Sequence, residues 1–449
     1  MRFDITAHGP FVGKTTLPGD ENLTLSCIAL GMFSPQPVAL DNPSLSPDVF
    51  RFREFLERHG IGFIDSSDGF SVHGKEWSND LVIDDYVPDA ILYTVISGVV
   101  FSGRTVTINN VTEGKAAKIR RLGEVLRDVG LPDEYVNHKG SELTIRGAVF
   151  SPAAEVKVRS PWALEAVGAA AMASRAAITI SYPPQIASHS LKLLTILGYR
   201  SSVSDAVRNR ETEMERRLAK ASGEPAFETR HMEWTGKNHP HIQIPGDTMI
   251  AAALAGAASV IPKSNIALKG VLWEQGRKGF FDTLRRMKGN ILYEQVIPKS
   301  SFDSANISIR WGSLEGIHLT SGQAQTFVTE LMILGAIAAF AQGETVICDV
   351  GEEPRVGRET FTVLSRGLEM LGTRVGDYAD GIVIMGGHEL HGNLVDSCRY
   401  PGIVLALAVA GLNSSGTTTV FGFEEDTYPI SEFIRIVHDL SSELPVIDE

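Results

Sequence analysis

A single α/β module is written six times along this chain, and that repetition limits the possible folds more than any one residue does. Each copy opens with an apolar helix rich in small residues, expected at 23–33, 89–101, 161–174, 248–261, 325–341 and 401–412. Short β-branched strands follow at 38–40, 105–111, 177–182, 265–271, 345–350 and 417–423. Amphipathic second helices then close on Leu-x-x-x-Gly-like endings at 55–60, 126–130, 194–198, 284–289 and 368–372, while the sixth, 430–440, has no terminal Gly. Each module leaves an apolar face that only its neighbours can cover. The period, roughly 65 to 90 residues, is too long for the short-repeat solenoids. Six such modules fit two globular halves of three.

The first helices predict where each core lies. Residues 251–258, Ala-Ala-Ala-Leu-Ala-Gly-Ala-Ala, are apolar all round and must be buried on every side. The second helices, such as residues 118–126, carry an apolar stripe and a charged face. Three modules in rotation would therefore bury parallel helices inside an outer layer of sheets. Parallel helices also aim their positive dipole ends at one face, and two such faces opposed would make an anion-binding cleft.

Composition narrows the function. The 449 residues are 43% hydrophobic and 21% charged, ordinary globular material for more than one domain. A net charge of −13 argues against a duplex nucleic-acid or anionic-membrane partner. Cys27, Cys348 and Cys398 are too few and too scattered for a disulfide framework or a zinc site. Residues 1–12 lack the layout of a signal peptide, and apolar helices of about a dozen residues are too short to span a bilayer. A soluble cytoplasmic protein is expected. The third module carries its excess at 201–234, where the mixed-charge run 208–217 reads as a lid, a partner helix or a solvated surface helix. Residues 236–240 and 245–246 read as the passage between halves. The histidines at 231, 239, 241, 388 and 391 lie in loop-like sequence without further well-placed ligands, so no metal is expected. Lys14-Thr15-Thr16 lacks the upstream spacing of a phosphate loop.

Several segments carry a resemblance to a known family. Thr16-Leu17-Pro18-Gly19-Asp20-Glu21-Asn22 precedes the first apolar helix, and Ile244-Pro245-Gly246-Asp247-Thr248-Met249-Ile250-Ala251-Ala252 opens the fourth. Ala339-Phe340-Ala341-Gln342-Gly343-Glu344-Thr345 and Arg355-Val356-Gly357-Arg358-Glu359-Thr360 follow in order, and Arg399 stands just before the sixth helix. In order and spacing these resemble the enolpyruvyl transferases, the EPSP synthase family most of all. The resemblance implies a two-domain inside-out α/β barrel with six βαβαββ-type repeats, three per domain. The domains would be 18–241, and 1–17 with 242–449. It further implies a commonly monomeric enzyme that moves the enolpyruvyl group of phosphoenolpyruvate to a hydroxyl and releases phosphate, with no metal or organic cofactor. Such chemistry needs cations for anionic ligands, a base for the hydroxyl and an acid for the vinyl carbon.

The departures from the family pattern bear on the substrate. The family's Lys-Ser opening, with an Arg four residues on, reads here Glu21, Asn22 and Ser26. A carboxylate in place of a lysine reverses the charge, which costs several kcal/mol at contact distance even at an effective dielectric of about 20. The Gly-rich loop of the second module is missing around 86–94, and Lys118 is the one cationic candidate where the family has Arg-Pro. The Ser-Ser-Gln triad becomes Ser160-Pro161-Trp162, the family's aspartate base aligns with Thr329 beside Glu330, and Asp-His-Arg is reduced to Ser397-Cys398-Arg399. The family lysine near the C-terminus falls around Thr427 or Tyr428.

The resemblance thus gives Glu359, Glu330 and Arg358 as catalytic candidates. Glu21, Asn22, Lys118, Ser160, Trp162, Asp247, Arg355 and Arg399 are the substrate-binding candidates. Some of these, and Asp20, have a plainer reading: Asp20 and Asp247 as helix N-caps, Trp162 as packing, and Arg355 and Arg358 in a loop network with Glu352 and Glu353. Three functions are open. The chain is a transferase- or lyase-type enzyme acting on an altered anionic or zwitterionic metabolite, with phosphoenolpyruvate as a candidate ligand. Alternatively it is a non-catalytic small-molecule-binding or scaffold descendant, or a genuine 3-phosphoshikimate 1-carboxyvinyltransferase.

Overall fold

A computed structural model describes residues 2–7, 9–74, 79–84, 87–183, 189–203, 227–236, 240–274, 278–296, 302–319, 321–348, 358–378, 381–423 and 428–441. The chain divides into two compact units. An N-terminal unit comprises 19–244 with 300–302, and a C-terminal unit comprises 1–18, 245–299 and 303–449.

Each unit contains three sheets, and they share one plan. In the third module, Val156–Lys157 runs parallel to Ile178–Tyr182, which pairs antiparallel with Glu228–Trp234, itself antiparallel to Tyr199–Val203. The same order recurs around Val106–Ile108 and around Gly343–Ile347. Strands distant in sequence complete the remaining sheets. His241–Gln243 pairs parallel with Val38–Asp41 in the N-terminal unit. Val12–Thr16 pairs parallel with Asn265–Leu272, and Arg2–Thr6 pairs antiparallel with Thr417–Phe421, in the C-terminal unit. The first strands of the chain therefore belong to the unit built from its second half.

The buried helices explain why small residues recur. In the N-terminal unit they are Glu21–Gly31, Asp89–Phe101 and Pro161–Ser174. Tyr93 meets Trp162 in a tilted ring contact near the start of two of them, and Ser174 Oγ donates to the carbonyl of Phe101 at their far ends. Those two helices are therefore parallel. A Cβ at Gly98 would stand 2.1 Å from the Phe33 ring, so Asp89–Phe101 also shares its C-terminal end with the helix Glu21–Gly31. In the C-terminal unit the corresponding helices are Thr248–Val260, Leu331–Ala338 and Pro401–Gly411. Asn413 donates to the carbonyl of Val260 at two of their C-terminal ends, while Gly402 lies 3.8 Å from the carbonyl of Thr329 at two N-terminal ends, measured from its Cβ position. Gly256 faces Ile337 so closely that a Cβ would come within 2.5 Å of its side chain. Small residues here set the distance between backbones, and added methylenes would force them apart.

The fifth first-helix departs from expectation. In place of one helix over 325–341 there is a 3-10 stretch, Gln325–Glu330, then Leu331–Ala338. Phe327 takes φ −155° and ψ 47°. The break leaves its ring buried and 6.2 Å from Phe280 in an edge-on contact. Burial of one aromatic ring outweighs helical continuity at that position.

Candidate functional site

Both units open their first buried helix with the same device. Asp20 (φ −59°, ψ 126°) accepts from the backbone N–H of Leu23, and Asp247 (φ −60°, ψ 127°) accepts from those of Met249 and Ile250. Each carboxylate satisfies amide groups that the helix leaves without intrahelical partners. The second oxygen of Asp247 accepts from the Tyr428 hydroxyl at 3.4 Å. Asp247 is therefore held as a cap, as its plainer reading expected.

The N-terminal unit buries a polar cluster around Glu165, a carboxylate only 6% exposed in an otherwise apolar helix. Its Oε1 accepts from Ser26 at 2.9 Å, from the His189 ring at 3.0 Å and from Ser190 at 3.1 Å. Its Oε2 accepts from Thr94 at 3.4 Å. Ser26 also lies 3.4 Å from His189 Nε2. Four helices thus converge on one carboxylate, each contributing a side chain. Burial pushes the Glu165 carboxyl up, but the His189 hydrogen bond and charge, with Ser26 and Ser190, outweigh it and hold the group below its ordinary value. Once that carboxyl is ionised, the cluster carries no net positive charge in either state of the imidazole.

Around this cluster stand several expected site residues. Glu21 and Asn22 are half-buried in the first turn after Asp20. Ser160 precedes Pro161–Ser174 without a side-chain capping bond. Trp162 is half-buried, its ring centroid 5.0 Å from that of Tyr93 at an interplanar angle of 54°. Lys118 falls within the helix Glu113–Arg127, and its side chain lies outside the described residues.

The C-terminal unit arranges a different set. Cys398 and Arg399 both have positive φ, 48° and 66°, immediately before Pro401–Gly411. Two successive non-glycine residues in the left-handed region mark a tightly determined turn. The Asp396 carboxylate accepts from the backbone N–H of Cys398, and that of Arg399 donates to the carbonyl of Gly422. Arg399 is exposed, and its guanidinium has no ion-pair partner among the described residues. Tyr400 donates to Glu359 Oε2 at 3.3 Å, and burial followed by that carboxylate pushes the phenol up. Burial and Asp396 also push the Cys398 thiol up, which disfavours a nucleophilic thiolate. Glu330 is 1% exposed and accepts from the Thr329 hydroxyl at 2.7 Å. It is thus a buried catalytic candidate. Arg355 lies outside the described residues, and Arg358 opens the helix Arg358–Met370 with its side chain outside them.

Sequence reasoning thus named Glu359, Arg399 and Trp162 but missed Glu165, His189 and Ser190. A signal was present: Glu165 is a charged residue within Pro-Trp-Ala-Leu-Glu-Ala-Val-Gly-Ala-Ala, a segment too apolar to face water. The described residues hold no group of three or more His, Cys, Asp or Glu side chains arranged for a metal ion, and no helix there is long and apolar enough to cross a membrane.

Two units of three βα modules, each with parallel buried helices, define the architecture of the inside-out α/β barrels. The family EPSP synthase (3-phosphoshikimate 1-carboxyvinyltransferase) matches residues 224–430. The 3-phosphoshikimate 1-carboxyvinyltransferase of Acaryochloris marina (strain MBIC 11017) is 23% identical over 97% of this chain and 95% of its own length. That of Synechococcus sp. (strain JA-3-3Ab) is 31% identical over 199 residues, 44% of this chain and 45% of the relative. Among solved structures, EPSP synthase from Acinetobacter baumannii aligns with a TM-score of 0.78 at 18% identity over 100% of both chains. The enolpyruvyl transferase NikO from Streptomyces tendae aligns with a TM-score of 0.72 at 14% identity, covering 98% of this chain and 97% of that one. By these matches the chain is similar to the EPSP synthase family of enolpyruvyl transferases and shares its fold.

Proposed function

We propose that this chain is a carboxyvinyl transferase whose acceptor hydroxyl belongs to a metabolite other than shikimate 3-phosphate. One observation carries the reading. Ser26, at the position where the family resemblance puts an arginine, is buried and committed to Glu165, so that point offers no positive charge. A phosphorylated or carboxylated acceptor held there would meet the carboxylate of Glu165 and that of Glu21 nearby in sequence. A cationic or neutral acceptor group fits this environment better.

The C-terminal unit supports retention of an anionic donor. The exposed Arg399 guanidinium suits the forked hydrogen bonding of phosphate or carboxylate. In the proposed reaction the acceptor hydroxyl gives its proton to a base as its oxygen adds to C2 of phosphoenolpyruvate, while C3 takes a proton from an acid. Loss of that C3 proton and of phosphate then restores the double bond on the acceptor. Glu359, hydrogen-bonded to Tyr400, is the proton-transfer candidate.

The reading is tested by calorimetric titration with phosphoenolpyruvate and by phosphate release with shikimate 3-phosphate present. Expected are measurable phosphoenolpyruvate binding, weakened about tenfold or more in Arg399→Ala, and no phosphate release. Robust release would make the chain a genuine 3-phosphoshikimate 1-carboxyvinyltransferase. Absence of phosphoenolpyruvate binding would overturn the transferase reading and leave a non-catalytic descendant of the fold.

A further inference from the structure

Resting on that reading, the N-terminal unit also bears on the kind of acceptor. Tyr93 and Trp162 stand near the starts of two parallel helices, and both rings are half-buried, so part of each stays accessible. Directly beneath them on the same seam, Thr94 donates to Glu165, one residue beyond Tyr93 and three beyond Trp162. Glu165 is in turn held by Ser26, Ser190 and His189. The aromatic pair therefore rests on a buried hydrogen-bonded hub that fixes the spacing and rotation of its two helices. Rigid aromatic surface supported in this way is preorganised for stacking.

Trp162 also changes what the position can recognise. Where the resemblance places a glutamine, able to donate and accept hydrogen bonds, this chain presents an indole, whose N–H only donates and whose faces are apolar. A hydroxyl-rich, non-planar ring loses polar partners there, whereas a flat unsaturated ring gains a stacking surface.

We propose that Tyr93 and Trp162 are specificity-determining residues for an acceptor that carries a flat unsaturated ring together with its hydroxyl group. The test is saturation-transfer NMR and titration on the full chain, with adenosine and 4-hydroxybenzyl alcohol as ring-bearing probes and shikimate 3-phosphate as the non-planar comparison. At least one ring probe should bind more tightly than shikimate 3-phosphate, with saturation strongest on its ring protons. Trp162→Gln should weaken that binding about tenfold, while Trp162→Phe, which keeps a ring, should retain most of it. Circular dichroism matching the native chain would establish that the glutamine variant is folded; if it is not, Tyr93→Leu replaces it with the same expectation. Binding of neither ring probe, or ring binding indifferent to these substitutions, would overturn the proposal. Phosphoenolpyruvate binding separates the two ideas. Ring-probe binding without phosphoenolpyruvate binding would sink the transferase reading alone, and the reverse pattern would sink this inference alone.

Discussion

The two units are built to one plan and differ in what they bury at its centre. Both begin with Pro-Gly-Asp and cap their first helix with nearly identical backbone angles. In the C-terminal unit the buried helices Thr248–Val260, Leu331–Ala338 and Pro401–Gly411 contain no charged residue. In the N-terminal unit one of the three carries Glu165, and three other helices supply its hydrogen-bond donors. The C-terminal unit also buries a carboxylate, Glu330, but it lies just before Leu331–Ala338 and accepts from its sequence neighbour Thr329. The buried Glu165–His189 pair joins helices of the N-terminal unit, and a buried pair is by itself weak evidence for stability. Its position beneath the Tyr93–Trp162 pair supports a role in holding the proposed acceptor surface.

The sharpest way to break this contrast is His189→Ala, which leaves Glu165 buried without its imidazole partner. A loss of about 3–5 kcal/mol is expected, by denaturant titration, because an uncompensated buried charge is strongly unfavourable. Hydrogen exchange should show that loss in 19–244. If the C-terminal unit loses protection equally, the cluster is not a local device of the N-terminal unit.

Gly98→Ala tests the packing that both units share. Its new Cβ would press on the Phe33 ring, and a cost of about 1–3 kcal/mol is expected for overpacking. Gly256→Ala, pressing on the Ile337 side chain, should cost a similar amount in the other unit. Thermal melts of the two variants that differ by more than about twofold would show that one core relaxes more easily.

The caps predict equality. Asp20→Ala and Asp247→Ala should each cost about 1 kcal/mol, the usual worth of an N-cap. A markedly larger loss for Asp247→Ala would assign weight to its Tyr428 contact.

Acid provides the mildest probe. The Glu165 carboxyl is held below its ordinary value, so its contribution is present above the unfolded carboxylate pKa of about 4.3 and is lost as pH falls through the lower folded value. Protection factors in the helices Pro161–Ser174 and His189–Ile196 should therefore fall below about pH 4. Glu165→Gln should flatten that dependence, and an unchanged profile would remove Glu165 as its source.

How much of this was legible beforehand differs by element. The six small-residue helices were readable because a segment apolar on all sides has no stable place except a core. The interruption at Phe327 was not, since it depends on Phe280, a residue 47 positions earlier that only the folded chain brings beside it. Among the site residues, Asp20 and Asp247 were readable as caps because capping is local in sequence. Glu359 was named, but its Tyr400 partner 41 residues away was not.

The sequence alone determined the module, its repetition and the burial of its first helices, because periodicity and side-chain size act over a few turns of chain. It also determined that positions 21 and 26 carry no cation, since charge is a property of residue type. Tertiary structure alone decided that Ser26, Thr94, Glu165, His189 and Ser190 share one buried site. These residues are up to 164 positions apart, counted as 190 minus 26. Hydrogen bonds over such separations form only after the helices have packed, and no local pattern encodes them.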